Sequence, residues 1–142
     1  MKIQKTRRVK TPTRGTNLSA GIDFYVPDHF PNTTLRPGES VNIPSGIKVQ
    51  VPRGYALIAF NKSGVASKQG LTVGATVVDE DYEGEVHLHM INVSNSNQAV
   101  IAGQKLVQFL LISVFYDEIE EVQELANRNT QRGAGGFGST GI

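Results

Sequence analysis

Apolar and polar residues alternate along the middle of the chain. Ile43 opens a segment in which Ile47, Val49 and Val51 are separated by Lys48 and Gln50, the period-two pattern of a half-buried strand. Tyr55 to Phe60 is apolar on both faces and predicts a central strand of a sandwich. Val77 and Val78 lead into Asp79, Glu80, Asp81 and Tyr82. After Gly84, Val86, Leu88 and Met90 then alternate with His87, His89 and Ile91. Two apolar runs joined through an Asp- and Gly-bearing turn predict a β-hairpin. Gly103 to Ile112 reads as an apolar strand with Lys105 and Gln108 as polar exceptions, and Val114 to Val122 as its continuation, ending in acidic residues. Residues 2–9 predict an edge strand guarded by lysines and arginines. The segments 11–17, 28–40 and 92–98 read as loops. Residues 63–70 are the one short helical segment, with Ser63 as N-cap and Gly70 as its stop.

Composition narrows the class. A chain of 142 residues with 15 glycines suits one all-β domain with many tight turns. The net charge of +1 implies neither a nucleic-acid nor a membrane surface. The absence of cysteine excludes disulfides, thiolate zinc sites and cysteine nucleophiles. No apolar stretch follows the basic start, so no secretory signal is expected, and no run is apolar enough to span a bilayer.

The candidate chemistry lies in a few places. An acidic cluster on a hairpin tip is costly unless used. One of its carboxylates can act as a general base or help hold a divalent cation, although a solvated turn has the same composition. Asp23, after Ser19-Ala20-Gly21-Ile22, either caps a turn through local amides or orients a phosphate or metal-water network. Lys62, Ser63 and Gly64, after a core strand, read as an anion site or as a plain capped turn. Gln108 within an apolar run is either functional or on the solvated face. His87 and His89 share a strand face, but with no third ligand they read as sheet-surface histidines. Residues 133–138 spell a literal G-x-G-x-x-G. The dinucleotide reading needs a strand before it and a helix after it, and only four residues follow. Arg132, Phe137, Gly138, Ser139 and Thr140 do suit a polyphosphate and a flat base: a guanidinium fork, a ring to stack, and hydroxyls. A glycine-rich segment that orders over a ligand is a lid.

Five patches resemble the dUTPase family in its homotrimeric, all-β form: SAGIDFY, NKSGVASKQG, GATVVDEDYEGEV, GQKLVQFL and RGAGGFGSTG. They stand in the family's order and run from residue 19 to residue 141. The sequence departs from the family's usual residues at Asn61, Lys62, Gln104 and Lys105. The resemblance implies a jelly-roll-like β-sandwich or barrel over residues 1–126 and a flexible lid over residues 127–142. It further implies a homotrimer whose active sites draw on all three chains, and hydrolysis of dUTP to dUMP and pyrophosphate with Mg²⁺ on the triphosphate. Asp79 is then the base that activates water. Tyr82 packs under the deoxyribose. The backbone of Gly74, Ala75, Thr76 and Val77 and of residues 85–87, which include Glu85 and His87, reads uracil. Lys62, Ser63, Gly64 and Gln108 hold phosphates. Arg132, Ser139 and Thr140 take the terminal phosphate, beside Gly138, and Phe137 covers the base. Asp23 supports the metal through water. A cytoplasmic location is expected, with no nucleic-acid or membrane partner.

Phosphoanhydride hydrolysis needs charge neutralisation and a positioned water more than covalent catalysis, and this chain offers those. The dCTP deaminase branch of the same superfamily places a catalytic Glu where this chain has His89. An idle capsid-like or regulatory trimer would be expected to have lost Asp79, Tyr82 or the tail.

Overall fold

The computed structural model describes residues 1–139. Among the described residues, eleven strands and one helix appear in the order β1 (Lys2–Lys5), β2 (Thr13–Arg14), β3 (Ile22–Tyr25), β4 (Thr33–Leu35), β5 (Ser40–Gln50), β6 (Tyr55–Asn61), α1 (Ser63–Gln69), β7 (Leu71–Val73), β8 (Val77–Val78), β9 (Glu85–Asn92), β10 (Gln98–Val100) and β11 (Lys105–Ser113). One sheet runs β1-β5-β9-β7, a second β2-β3-β11-β6-β8, and β10 with β4 forms a ribbon. Every pairing is antiparallel. The inward residues of both sheets meet in one core. Phe24 and Phe109 stack at 4.5 Å with tilted rings, among Ile43, Ile47, Leu57, Leu88 and Met90. The expected all-β sandwich with one short helix is the fold.

The alternation in β9 is obeyed: Val86, Leu88 and Met90 are buried, and His87 is exposed. The lysine-bearing β1 is an edge, as expected, but it covers only residues 2–5. Gly70 ends α1 in the left-handed region.

Several expectations are corrected. Loops 11–17 and 28–40 contain the short strands β2 and β4, which are too brief to carry a periodic signal. The strand expected over 114–122 is absent. β11 stops at Ser113, and Phe115 and Ile119 stand almost wholly in solvent. An extended segment without a partner strand leaves its ladder groups unpaired. β6 is central, and Leu57 and Ala59 on one face enter the core, whereas on the other face Ile58 is only half-buried and Phe60 is part-exposed, so only one face is well covered. Ser63 is not the N-cap. Lys62 holds that place without a side-chain cap, and Ser63 is the first helical residue.

The expected hairpin is also different. β8 pairs with β6 and β9 pairs with β5 and β7, so the two apolar runs lie in different sheets. The true partners are β7 and β9. Residues 74–84 leave that pair, cross to the second sheet, lay Val78 against Leu57, and return. Each short apolar run was buried by its own sheet, a choice that local alternation cannot reveal.

Candidate active site

The crossing segment is fixed at many points. The Gly74 N–H bonds the His89 carbonyl at 2.9 Å, the Ala75 N–H bonds His89 Nδ1 at 3.0 Å, and the Thr76 carbonyl accepts from Ala59 N–H at 2.7 Å. Beyond Val78 the chain turns, with the Tyr82 N–H on the Asp79 carbonyl at 3.3 Å. The Glu80 carboxylate reaches the Gly54 N–H at 2.7 Å and the Tyr116 hydroxyl at 3.1 Å. The Tyr82 hydroxyl donates to the Glu85 carbonyl at 3.0 Å, and its ring lies over Gly84 so closely that any Cβ there would collide with it. His87 Nδ1 bonds the same Glu85 carbonyl at 2.9 Å. The two histidines therefore use Nδ1 oppositely, as donor in His87 and acceptor in His89. Among the described residues, no three His, Cys, Asp or Glu side chains gather to hold a metal ion.

Asp79 itself is exposed and its carboxylate makes no hydrogen bond among the described residues. Val77 is exposed as well. Four of the backbone groups expected to read a base are already engaged within the chain, namely Gly74 N–H, Ala75 N–H, Thr76 C=O and Glu85 C=O.

A second cluster surrounds Asp23, which is 4% exposed. It does not cap a turn. Its Oδ1 is paired with Lys62 and its Oδ2 with Lys105 Nζ at 3.3 Å. Both lysines are positions where the sequence departs from the family's usual residues, and both converge on one carboxylate. Gln108 stands opposite Asp23 in the β3–β11 register. It packs so closely on Gly21 that a Cβ there would overlap its side chain, and its Nε2 donates to the Asn61 carbonyl at 2.8 Å. Lys62, Ser63, Gly64, Lys68 and Gln108 line one shallow depression. Arg14 clasps the loop before Gly21 through the Ser19 and Ala20 carbonyls, each at 2.6 Å.

These two clusters stand at opposite ends of β6. Glu80 docks on Gly54, just before the strand begins, and Lys62 follows its last residue. Seven residues at about 3.3 Å each separate them by about 20 Å. The described part of the tail joins neither. Arg132 Nε bonds the Gly135 carbonyl at 2.9 Å, the Ser139 N–H bonds the Gly136 carbonyl at 3.1 Å, and Phe137 is fully exposed. Gly138 lies in that last turn, and Thr140 lies outside the described residues.

Arg7, Lys105, Arg14 and Tyr116 were not anticipated. Arg7 forks onto Glu85 at 2.9 and 2.8 Å while the Gly46 N–H bonds the same carboxylate. Burial alone would push the Glu85 carboxyl up, but the Arg7 bonds, the Gly46 N–H and the Arg7 charge outweigh it and hold the carboxyl below its ordinary range. Lys105 had a signal: a carboxylate inside an apolar strand demands a cation, and Lys105 lies in the neighbouring polar exception. Arg7, 78 residues from its partner, had none.

The chain matches the family model described as dUTPase over residues 7–141. It is 40% identical over 131 residues to the human mitochondrial deoxyuridine 5'-triphosphate nucleotidohydrolase, covering 92% of this chain and 50% of that one. It is 38% identical over 141 residues to the cowpox virus protein of the same name, covering 99% and 91%. The chain thus spans half the human relative and nearly all of the viral one. A variant of the Staphylococcus bacteriophage 80alpha dUTPase solved with dUpNHpp superposes with a TM-score of 0.88 at 20% identity, over 99% of this chain and 98% of that one. A variant from phage phi11, described with a structural Mg(II) ion, gives 0.78 at 20%, over 89% and 98%. At that identity, the two structures establish the fold alone.

Proposed function

This chain belongs to the dUTPase family and is a dUTP diphosphatase, and from that premise we propose which residues carry the reaction. Asp79 takes a proton from water as that water's oxygen attacks the α-phosphorus. The bond from the α-phosphorus to its bridging oxygen breaks, and pyrophosphate leaves with the electron pair. The acid loop carries this reading. Its neighbours Glu80, Tyr82 and Glu85 are each bonded in place, while the Asp79 carboxylate stays free to meet a water. Lys62, Ser63, Gly64 and Gln108 take the phosphates, and the ring of Tyr82, packed against Gly84, supports the deoxyribose.

The separation along β6 supports active sites shared between copies of this chain, and the homotrimer is the assembly proposed for them. A general base acts within hydrogen-bond reach, about 3 Å, or through one water. Asp79 cannot serve a phosphate held about 20 Å away along its own β6, so the base and the cradle of one site come from different copies. The tail of residues 127–142, with Arg132, Phe137, Gly138, Ser139 and Thr140, closes that site over the base and terminal phosphate. The residues present do not fit a protein-held metal: both oxygens of Asp23 face ammonium groups. Mg²⁺ therefore enters with the substrate as Mg–dUTP, neutralising the triphosphate, and no step is assigned to a chain-bound ion. No helix of the described residues is long and apolar enough to cross a membrane, and the cytoplasmic placement belongs to this same proposal.

The test is pyrophosphate release from dUTP, dTTP, dCTP and UTP with Mg²⁺. Turnover confined to dUTP is expected. A comparable rate with UTP would remove the sugar-packing role from Tyr82.

A further inference from the structure

Glu80 sits beside the proposed base but has a different environment from the other acids of the loop. Its Oε2 accepts from the Gly54 N–H at 2.7 Å and from the Tyr116 hydroxyl at 3.1 Å. Gly54 is held from the other side as well, because its carbonyl accepts from the Val114 N–H at 2.9 Å. The Pro52–Gly54 turn thus lies between the acid loop and the point where the chain leaves β11 for its C-terminal segment. One carboxylate oxygen and one glycine join all three pieces. Val114 and Tyr116 also make the only hydrogen bonds from 114–139 to the rest of the chain among the described residues.

We propose that Glu80 is a positioning residue for the reaction, clamping the acid loop to the Gly54 turn and to Tyr116, so that the aim of Asp79 and the departure of the C-terminal segment are set together. This rests on the reading of Asp79 as the base. Glu80 is adjacent to Asp79 in the chain, so fixing its side chain at Gly54 fixes the peptide plane from which Asp79 projects. The other bonds of loop 79–84 are local: the Tyr82 N–H on the Asp79 carbonyl at 3.3 Å and the Tyr82 hydroxyl on the Glu85 carbonyl at 3.0 Å. Asp81, Tyr82 and Glu83 are exposed, so among the described residues Glu80 is the side chain that ties this loop to a distant segment. Tyr116 completes the clamp from the segment that leads to the lid. Slight desolvation, and then the Glu80 bond and the charges of Glu80, Asp79 and Asp81, raise the phenol of this largely exposed side chain above the ordinary range. It therefore stays protonated, and a donor, throughout the working pH range.

Misplacing a reacting group by about 1 Å costs about 10²-fold in rate, and a clamp that acts on position affects kcat more than substrate affinity. The experiment compares Glu80→Ala, Glu80→Gln, Tyr116→Phe and the double variant Glu80→Ala/Tyr116→Phe in the full chain. Glu80→Ala is expected to lower kcat about 10²-fold with KM changed by no more than about twofold. Glu80→Gln keeps an acceptor oxygen and should recover most of the loss. Tyr116→Phe should lower kcat several-fold in the parent chain and not at all in Glu80→Ala, because the bond it removes is already gone. Amide exchange at Gly54, followed by NMR without nucleotide, should quicken in Glu80→Ala and stay near normal in Glu80→Gln. If Glu80→Ala does not fold, Glu80→Gln and Tyr116→Phe decide the matter through the same two readouts. Parallel changes in kcat and KM, a Gln variant no better than Ala, additive effects of the two sites, or an unchanged Gly54 amide would each overturn the clamp. A parent chain inactive on dUTP would instead sink the functional reading, and the Gly54 exchange would still judge the clamp.

Discussion

Arg7 and Glu85 are joined by two parallel hydrogen bonds of 2.9 and 2.8 Å, across 78 residues of sequence. A fork of this geometry fixes direction as well as distance. Glu85 opens β9, and its carbonyl receives both Tyr82 and His87. Its carboxylate also holds the Gly46 N–H, where the β5–β9 register slips between Pro44 and Lys48. The irregular point of the β5–β9 pairing and the end of the acid loop thus share one anion.

That anion makes stability depend on pH. The folded carboxyl of Glu85 is depressed below its unfolded value, so the unfolded chain binds the proton more readily in the window between the two. The contribution is complete above the ordinary glutamate range near pH ~4.3 and is lost as pH falls through the folded value. Denaturant midpoints measured from pH 3 to 7 should show this step, and Arg7→Ala should shrink it. At neutral pH, Arg7→Ala should lower the denaturant midpoint, because it leaves the Glu85 carboxylate without its fork, and an unchanged midpoint would mean the pair contributes nothing net.

Asp79→Asn keeps the shape of the side chain and removes the proton acceptor. Its kcat should fall by about 10²–10⁴-fold with nucleotide binding largely kept, measured by single-turnover hydrolysis beside equilibrium binding of dUMP. Near-normal turnover would move the role of base to Asp81, the other exposed aspartate of the loop.

The strands that became legible in sequence are those whose whole length is governed by one buried face. β5 and β9 announce themselves by alternation, β11 by a continuous apolar run with two polar exceptions, and α1 by its stop at Gly70. What alternation cannot convey is which sheet a short apolar run joins, and Val77–Val78 therefore looked like the near partner of Val86. The opposite error occurred at 114–122, where apolar residues suggest a strand but the chain itself supplies no partner edge. Local motifs offer Asp79, Tyr82, Ser63 and Gln108 as candidates for the proposed site. They do not offer Arg7 or Tyr116, because each acquires its role through a contact made only when distant segments pack.

The Asp23 carboxylate with its two lysines gives an asymmetric prediction. Lys62 is mostly covered, whereas Lys105 is about half exposed and sits at 3.3 Å. Lys105→Ala should therefore be mild, within the roughly 0–1 kcal/mol of exposed pairs. Lys62→Ala should both destabilise the chain and raise KM for dUTP, since it lines the phosphate depression. Asp23→Ala leaves two ammonium groups facing each other without their anion and should lower stability by about 1–3 kcal/mol. Thermal melts of the three variants test the order. Equal effects of the two lysines would mean that exposure does not decide their worth.

The tail carries the last prediction. Among the described residues from 127 onward, the hydrogen bonds are local turns: Asn129 to Asn127, Gly133 to Thr130, Arg132 to Gly135 and Ser139 to Gly136. Phe137, the large apolar side chain there, packs on nothing. A segment that buries so little cannot repay about 1–2 kcal/mol of backbone entropy per residue, so on its own it has no reason to adopt one conformation. The body has its core complete by Phe109, so truncation after Ala126 should leave its melting temperature and assembly unchanged. A nucleotide changes the balance by offering phosphate oxygens to Arg132 and a flat base to Phe137. Ordering then excludes water and fixes the terminal phosphate. The truncated chain should still bind dUMP weakly and lose most of its dUTP hydrolysis. In the full chain, a non-hydrolysable dUTP analogue with Mg²⁺ should shield Arg128 and Arg132 from trypsin, and dUMP should shield them less, because it lacks the terminal phosphates. Equal cleavage with and without the analogue, or full activity after truncation, would show that these residues do not close over the substrate.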